Sequence, residues 1–186
     1  MKKTGCGKRL EARRTEEHNR VPSHKPSALI NWPERYLPDR TAVHAHNELP
    51  MTVAPEAVWP WLVRADLWPK WYSNSKEVAI EGGGHELALG ITFHWKTFGV
   101  SLTSKVEELV PNERLSWSAR ATGVDVYHAW LIQKIPSGCR VVTEENQNGF
   151  LARLSNSLRP GNIEKQHKVW IENLLVKAKS GSPPPP

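Results

Sequence analysis

The chain has 186 residues with 39% hydrophobic content, which is enough for one ordinary domain with a single core. Its formal charge of +6 is concentrated near the N-terminus: residues 1–40 carry ten Lys and Arg against five Asp and Glu, whereas residues 41–186 carry fifteen against fourteen. Because a nucleic-acid-binding domain needs a basic face on its folded part, this near-neutral remainder argues against a nucleic-acid partner.

The cysteines and the N-terminal residues indicate a cellular compartment. Cys6 and Cys139 are the only cysteines, and a lone pair this far apart gives neither a disulfide framework nor metal-ligand spacing. The lysines that follow Met1 are not followed by an apolar run, so no signal peptide is predicted. No stretch approaches the roughly eighteen apolar residues that a membrane span requires. We therefore expect a reduced, cytoplasmic protein without membrane insertion.

Composition divides the chain into three parts. Residues 1–40 are predicted to be a mostly disordered basic arm, since residues 1–27 have too few apolar side chains to offset the entropy of ordering them. Within this arm, Trp32 and Tyr36 are predicted to anchor residues 28–38 on the domain surface, with a partner-binding segment as the alternative. Residues 41–179 form the predicted domain. Residues 180–186, SGSPPPP, are predicted to be a disordered tail.

The domain itself has a regular order of predicted elements. Alternation predicts a half-buried strand over residues 42–53, Pro55 suits the first turn of a helix, and Asp66 is predicted to cap a short second helix. Helical spacing of apolar residues predicts a long amphipathic helix over residues 163–179. Between the helices, alternating runs predict six strands, over residues 76–80, 91–98, 100–109, 113–119, 124–135 and 140–146.

Short, turn-rich connections between these strands predict antiparallel neighbours. The expected fold class is α+β: a curved seven-stranded antiparallel sheet wrapped around a long C-terminal helix, with two short helices after the first strand. Only the C-terminal helix is long enough to cover the concave side of the sheet.

The chain resembles the SRPBCC superfamily, the START-like or helix-grip proteins that include polyketide cyclase/dehydratase-like members. The similar segments, in chain order, are VAPEAVW, DLWPKWY, LGITFHW, SKVEELVPNERLSW, YHAWLI and GCRVVTEENQNG. The resemblance covers residues 41 to about 179 and implies a deep cavity between sheet and helix for a lipid, sterol, polyketide or other hydrophobic molecule. It does not imply a reaction, because the superfamily contains both enzymes and carriers.

Strand alternation then assigns side chains to the concave face. Three tryptophans from separate strands are predicted to converge with one from the helix, and four polar side chains accompany them. Because a sealed core would rarely hold so many polar groups, we favour a ligand pocket over a plain core. The predicted ligand-binding residues are Trp95, Trp117, His128, Trp130, Thr143, Glu145, His167 and Trp170.

The stretch VWPWLVRADLWPKWYSN, residues 58–74, contains four of the nine tryptophans. Trp61 and Trp68 are predicted to fill the seam between the short helices and the sheet. Trp59, Trp71 and Tyr72 are predicted to lie at the cavity mouth, so that most of the cluster is structural and one or two rings touch a ligand.

Two titratable side chains are candidates for catalysis. His128 and Glu145 could form an acid/base pair on neighbouring strands, and the alternative is a polar pair that orients a carrier's ligand. His44 and His46 share one strand face, but two histidines alone are a weak metal site. The sequence therefore predicts neither a metal nor a cofactor.

Two functions are consistent with these residues. The first is a carrier or sensor that binds a hydrophobic small molecule, and the alternative is a polyketide cyclase/dehydratase-like enzyme. The ligand's identity and the oligomeric state are left open by the sequence.

Overall fold

A computed structural model describes residues 29–186 of the chain. The strands are β1 Val43–Met51, β2 Lys76–Ile80, β3 Thr92–Thr97, β4 Val100–Val110, β5 Arg114–Ala121, β6 Val124–Ile135 and β7 Gly138–Asn148. The α-helices are α1 Pro55–Val63, α2 Phe150–Leu158 and α3 Asn162–Lys179. Short 3-10 helices span Glu34–Tyr36, Pro38–Arg40, Ala65–Lys70 and Glu81–Gly83. Residues 1–28, which hold most of the predicted basic arm, lie outside the described residues.

All seven strands form one antiparallel sheet in the order β1-β7-β6-β5-β4-β3-β2. Strands β2 to β7 form a meander, in which each strand pairs with the next one along the chain. Strand β1 pairs with β7 and forms the edge of the sheet opposite β2. Helix α3 buries His167, Trp170, Ile171, Leu174 and Ala178 against the interior. The predicted α+β fold, with a long C-terminal helix on the concave side and two short helices after β1, is confirmed.

The centre of the core is an aromatic cluster around Trp68. This side chain is fully buried, and its ring centroid lies 5.1–6.0 Å from the rings of Phe93, Trp95, Trp117 and Trp170. Its indole Nε1 donates to the carbonyl of Leu62 at 3.1 Å, so the polar edge of the ring is also paired. The short 3-10 helix that carries Trp68 is therefore fixed to the sheet and to α3 at the same point.

Two local features differ from the sequence prediction. The 3-10 helix begins at Ala65, so Asp66 is not its cap; its carboxylate instead accepts two hydrogen bonds from Arg64, each of 3.0 Å. Helix α2 was not predicted at all, and it follows β7 directly after Gly149. Gly149 has φ +108°, and a Cβ there would approach the carbonyl oxygen of Gly123 to 2.3 Å, so only glycine fits this junction.

Residues 29–40 cover the part of the convex face that surrounds Tyr127 on β6. Ile30, Trp32 and Tyr36 pack on Tyr127 and its neighbours, and the Tyr36 hydroxyl donates to Asp125 at 2.7 Å. Tyr36 is 3% exposed, which places this part of the arm within the folded body. Packing of the arm on its own domain, with Trp32 and Tyr36 as anchors, is what the sequence predicts.

The C-terminal residues return along α1. Trp61 Nε1 donates to the Gly181 carbonyl at 2.7 Å, and the Arg64 guanidinium donates to the Pro184 carbonyl at 2.7 Å. These bonds give residues 180–186 defined partners, unlike the disordered tail predicted from their composition. Across residues 29–186, no helix combines the length and the apolar character needed to cross a membrane.

Candidate functional site

A cavity of about 390 Å³ lies between the concave face of the sheet and helices α2 and α3. Its buried end is formed by Trp95, Trp117, Glu145, His167 and Trp170, all of them nearly inaccessible to solvent. Other lining side chains are exposed and mark the open end: Val100, Leu151, Leu154, Leu158 and Arg159. The volume lies in the range of about 300–1,000 Å³ that small-molecule sites occupy.

Most of the cavity wall is apolar because alternate residues of the central strands point inward. On the sheet side the wall includes Leu102 from β4, Ala119 from β5 and Val126 from β6. On the helix side it includes Leu154 from α2 and Ile163 from α3. An apolar ligand entering this space would exchange water contacts for contacts with hydrocarbon.

Polar groups are concentrated at the buried end. His128 and Glu145 are directly opposed on β6 and β7, with 2.8 Å between His128 Nδ1 and Glu145 Oε2. The same oxygen lies 3.4 Å from His167 Nε2, which reaches it from α3. Two further contacts hold the pair from behind: Thr143 Oγ1 lies 2.7 Å from His128 Nε2, and the Gln147 amide donates to Glu145 Oε1. The two imidazoles therefore meet at one oxygen of the Glu145 carboxylate.

The environment sets the charge of these groups. Burial lowers the pKa of His128 to about 4, despite the opposing effect of the Glu145 carboxylate. Burial alone would raise the pKa of Glu145, but the His128 and His167 imidazoles hold it well below its usual range. An ionised carboxylate can only accept, so His128 Nδ1–H donates to Glu145 and His128 Nε2 accepts from the Thr143 hydroxyl.

The structure divides the predicted ligand-binding residues into two layers. Trp95, Trp117, Glu145, His167 and Trp170 line the cavity, as the alternation and the resemblance together predict. The other three predicted residues are buried but do not line it: His128, Trp130 and Thr143. The His128 ring lies between the rings of Trp117 and Trp130, with centroid distances of 4.6 and 5.7 Å. The His128 ring therefore lies behind the cavity wall, and its contact with Glu145 connects it to the ligand space.

The tryptophan-rich stretch lies away from the cavity. Trp59, Trp71 and Tyr72 are not among the lining residues, so their predicted position at the mouth is wrong. Tyr72 instead stacks on Trp170, with ring centroids 4.5 Å apart and planes 7° apart, and Asn173 binds the Trp71 carbonyl at 2.7 Å. Trp71 and Tyr72 therefore contact α3 and do not line the cavity.

Helix α2 supplies cavity residues that the sequence analysis missed. Leu151, Leu154 and Leu158 line the open end, and Phe150 is 66% exposed beside them. The signal was present, since these apolar residues recur at helical spacing in FLARLSNSL. Gln147 was also missed; it continues the inward alternation of β7 by one step beyond Glu145 and lines the cavity.

A second histidine–glutamate group lies on the opposite face of the sheet. Glu144 is fully buried, and its Oε1 lies 2.9 Å from His46 Nδ1, while its Oε2 lies 3.8 Å from His44 Nε2. The other ring nitrogen of His44 is 2.7 Å from Asn146 Oδ1. Glu144 and Glu145 therefore point to opposite faces, as predicted, and serve separate groups.

Solved structures with the same fold come from several sources. A hypothetical protein of Helicobacter pylori, jhp0584, matches with a TM-score of 0.75 and 27% identity over 83% of this chain and 98% of its own. MLL2253 from Mesorhizobium loti matches with a TM-score of 0.56 and 17% identity over 74% and 98%. Ara h 8.0201 matches with a TM-score of 0.55 and 10% identity over 75% and 99%. The last two show a shared fold alone.

At the level of sequence, no curated protein matches the chain significantly. The pattern of one family, described as polyketide cyclase / dehydrase and lipid transport, matches residues 42–162. This range runs from β1 to the start of α3 and includes every strand of the sheet. The chain therefore belongs to the polyketide cyclase / dehydrase and lipid transport family, of the SRPBCC type with the helix-grip fold.

Proposed function

We propose that the chain binds a hydrophobic small molecule in the cavity between sheet and helices, as a carrier or sensor. The observation that carries this proposal is the cavity itself, which combines apolar walls with a few polar groups at its buried end. This is the usual composition of a small-molecule site. A lipid, sterol, polyketide or aromatic compound fits such a space in chemical character.

The buried end also indicates a feature of the ligand. Trp170 Nε1 and His167 Nδ1 are buried without a hydrogen-bond partner among residues 29–186, and His167 Nε2 has only the 3.4 Å contact with Glu145. Buried polar groups are normally paired, and an unpaired one costs about 1–3 kcal/mol. A ligand with a hydrogen-bonding group at its inner end would pair with one of these atoms. We propose that Trp95, Trp117, Glu145, His167 and Trp170 contact the ligand, and that His128, Trp130 and Thr143 support this layer from behind.

Native mass spectrometry of the purified full chain tests this proposal, followed by extraction of the molecule that co-purifies. The expected result is a ligand-bound species that loses an apolar compound on denaturation. The matched control is Ala119→Phe, because Ala119 on β5 is 1% exposed and lines the cavity. The added ring would occupy ligand space, and the bound species should decrease. An equal amount of bound compound in both proteins would place it elsewhere.

A second function is favoured by one specific contact. The 2.8 Å contact between His128, behind the cavity wall, and Glu145, which lines the cavity, supports an acid/base pair of the kind that a cyclase/dehydratase-like enzyme would need for proton transfer. Incubating the recovered compound with fresh protein separates the two cases: a carrier releases it unchanged, and an enzyme alters it. Glu145→Gln should then abolish turnover while binding survives, and Glu144→Gln, on the opposite face, should leave turnover intact.

A further inference from the structure

We propose that His128, Glu145 and His167 form a binding site for a divalent transition-metal ion, with Zn²⁺ as the ion that their chemistry suits. One ligand atom from each of the three side chains lies within 4.8 Å of the other two. Two imidazoles and one carboxylate are a donor set for Zn²⁺ and for related first-row ions such as Co²⁺. This inference does not depend on the proposed function.

The distances suit a shared ion. Zinc bonds to nitrogen and oxygen are about 2.0–2.2 Å, so two donors on one ion lie about 3.0–3.5 Å apart. From Glu145 Oε2 the separation to His167 Nε2, 3.4 Å, lies within this range, and the separation to His128 Nδ1, 2.8 Å, is slightly shorter because the two groups share a proton in the absence of an ion. All three donor atoms lie within 4.8 Å of one another, so binding one ion requires side-chain rotations that set the two imidazoles around it.

His167 provides the second observation. It is 1% exposed, its Nδ1 has no hydrogen-bond partner among the described residues, and its Nε2 has only the long 3.4 Å contact with Glu145 Oε2. A buried imidazole in this state lacks the hydrogen bonds that normally offset the cost of burying its nitrogens. An ion beside Glu145 Oε2 would replace this long contact of His167 Nε2 by a direct bond, while His167 and Glu145 both keep their contact with the cavity. The ion would thus reach its site through the cavity, and its open coordination position would face the ligand space.

The groups behind the ligands are also suited to a metal site. Thr143 Oγ1 contacts His128 Nε2, and the Gln147 amide donates to Glu145 Oε1, the carboxylate oxygen that does not face the histidines. Outer contacts of this kind hold metal ligands in orientation. A metal ion bound to His128 Nδ1 would leave the ring proton on Nε2. His128 Nε2–H would then donate a hydrogen bond to the Thr143 hydroxyl oxygen, which can accept as well as donate. Zn²⁺ would replace the proton shared by His128 and Glu145, so the ion and the acid/base pair exclude each other.

The group on the convex face offers a contrast with the same residue types. Its two histidines contact different oxygens of Glu144, at 2.9 and 3.8 Å, so their nitrogens do not meet at one oxygen. His46→Ala is therefore a matched control: it removes one histidine beside a buried glutamate but leaves the proposed site untouched.

Equilibrium dialysis of the EDTA-treated full chain against Zn²⁺ tests the proposal, with bound metal measured by mass spectrometry. We expect one equivalent in the wild-type protein and in His46→Ala, and at least a 100-fold loss of affinity in His167→Ala. Thr143→Val should weaken binding about 10–100-fold, and Thr143→Ser should restore it, as expected for a positioning residue. No binding by the wild-type protein, or equal binding by His167→Ala, would overturn the proposal.

A second measurement removes dependence on variants that fail to fold. Anomalous diffraction from a Zn²⁺-soaked crystal of the wild-type protein locates the ion directly. A peak between His128, Glu145 and His167 supports the site. A peak only at other residues, including the N-terminal histidines His18 and His24, contradicts it.

Discussion

Replacing Trp68 with alanine tests whether the tryptophan-rich stretch stabilises the fold from its centre. Trp68 is fully buried, contacts four aromatic rings at 5.1–6.0 Å and donates one hydrogen bond to Leu62. A buried Trp→Ala change costs about 3–5 kcal/mol. Since whole domains have unfolding free energies of about 5–15 kcal/mol, this is a large fraction of the total. At about 2–4 °C per kcal/mol, the melting temperature should fall by about 6–20 °C.

Urea denaturation followed by far-ultraviolet circular dichroism measures this loss, and Trp59→Ala provides the matched control. Trp59 lies in the same stretch but is only partly buried at the edge of the core, so its removal should cost about 1 kcal/mol or less. Near-ultraviolet circular dichroism should also lose most of its aromatic signal in Trp68→Ala alone. Equal losses of stability in the two variants would refute the placement of Trp68 at the centre of the core.

Three further variants test other parts of the structure. Gly149→Ala should destabilise the chain by about 1–3 kcal/mol in urea denaturation, because its backbone and the nearby Gly123 carbonyl exclude a Cβ. Gly161→Ala, whose φ is also positive but whose Cβ would meet open space, should cost less, and the reverse order would contradict the contact. Deleting residues 1–27 should leave the melting temperature within a few degrees. Deleting residues 1–40 should lower the melting temperature markedly, because it removes the buried Tyr36. Equal melting temperatures for the two deletions would show that the packed part of the arm adds no stability.

The sheet could be predicted from the sequence because its signal is local. Most strands alternate apolar and polar residues, β6 is a largely apolar run that is buried on both faces over residues 126–132, and short turns favour antiparallel pairing of neighbours. The same alternation placed Glu145 inside and Glu144 outside, and placed His128 opposite Glu145 once β6 and β7 were paired. The two-residue period of side chains along a strand is sufficient to assign these residues to a face, because a register shift of one residue would exchange the two faces of the sheet.

Features set by the packing of distant segments could not be predicted in the same way. The sequence predicts Trp68 in the seam between the short helices and the sheet, but it does not predict that Trp68 lies at the centre of the core, that Tyr72 stacks on α3 or that Trp59 remains at the edge. These positions depend on how the chain turns after α1. The layering of the pocket is likewise a tertiary property: Trp117 and His128 share one face of the sheet, but only Trp117 reaches the cavity.

Saturable binding of an apolar compound inside the cavity is the central claim, and a tryptophan fluorescence titration tests it most directly. Trp95, Trp117 and Trp170 form part of the cavity wall, so a bound ligand should change their emission. We expect at least one member of a panel of fatty acids, sterols and aromatic polyketides to give a saturable change at one equivalent. Ala119→Phe should weaken that binding at least tenfold, or by about 1.4 kcal/mol. No saturable change with any compound, or an unchanged affinity in Ala119→Phe, would contradict the claim.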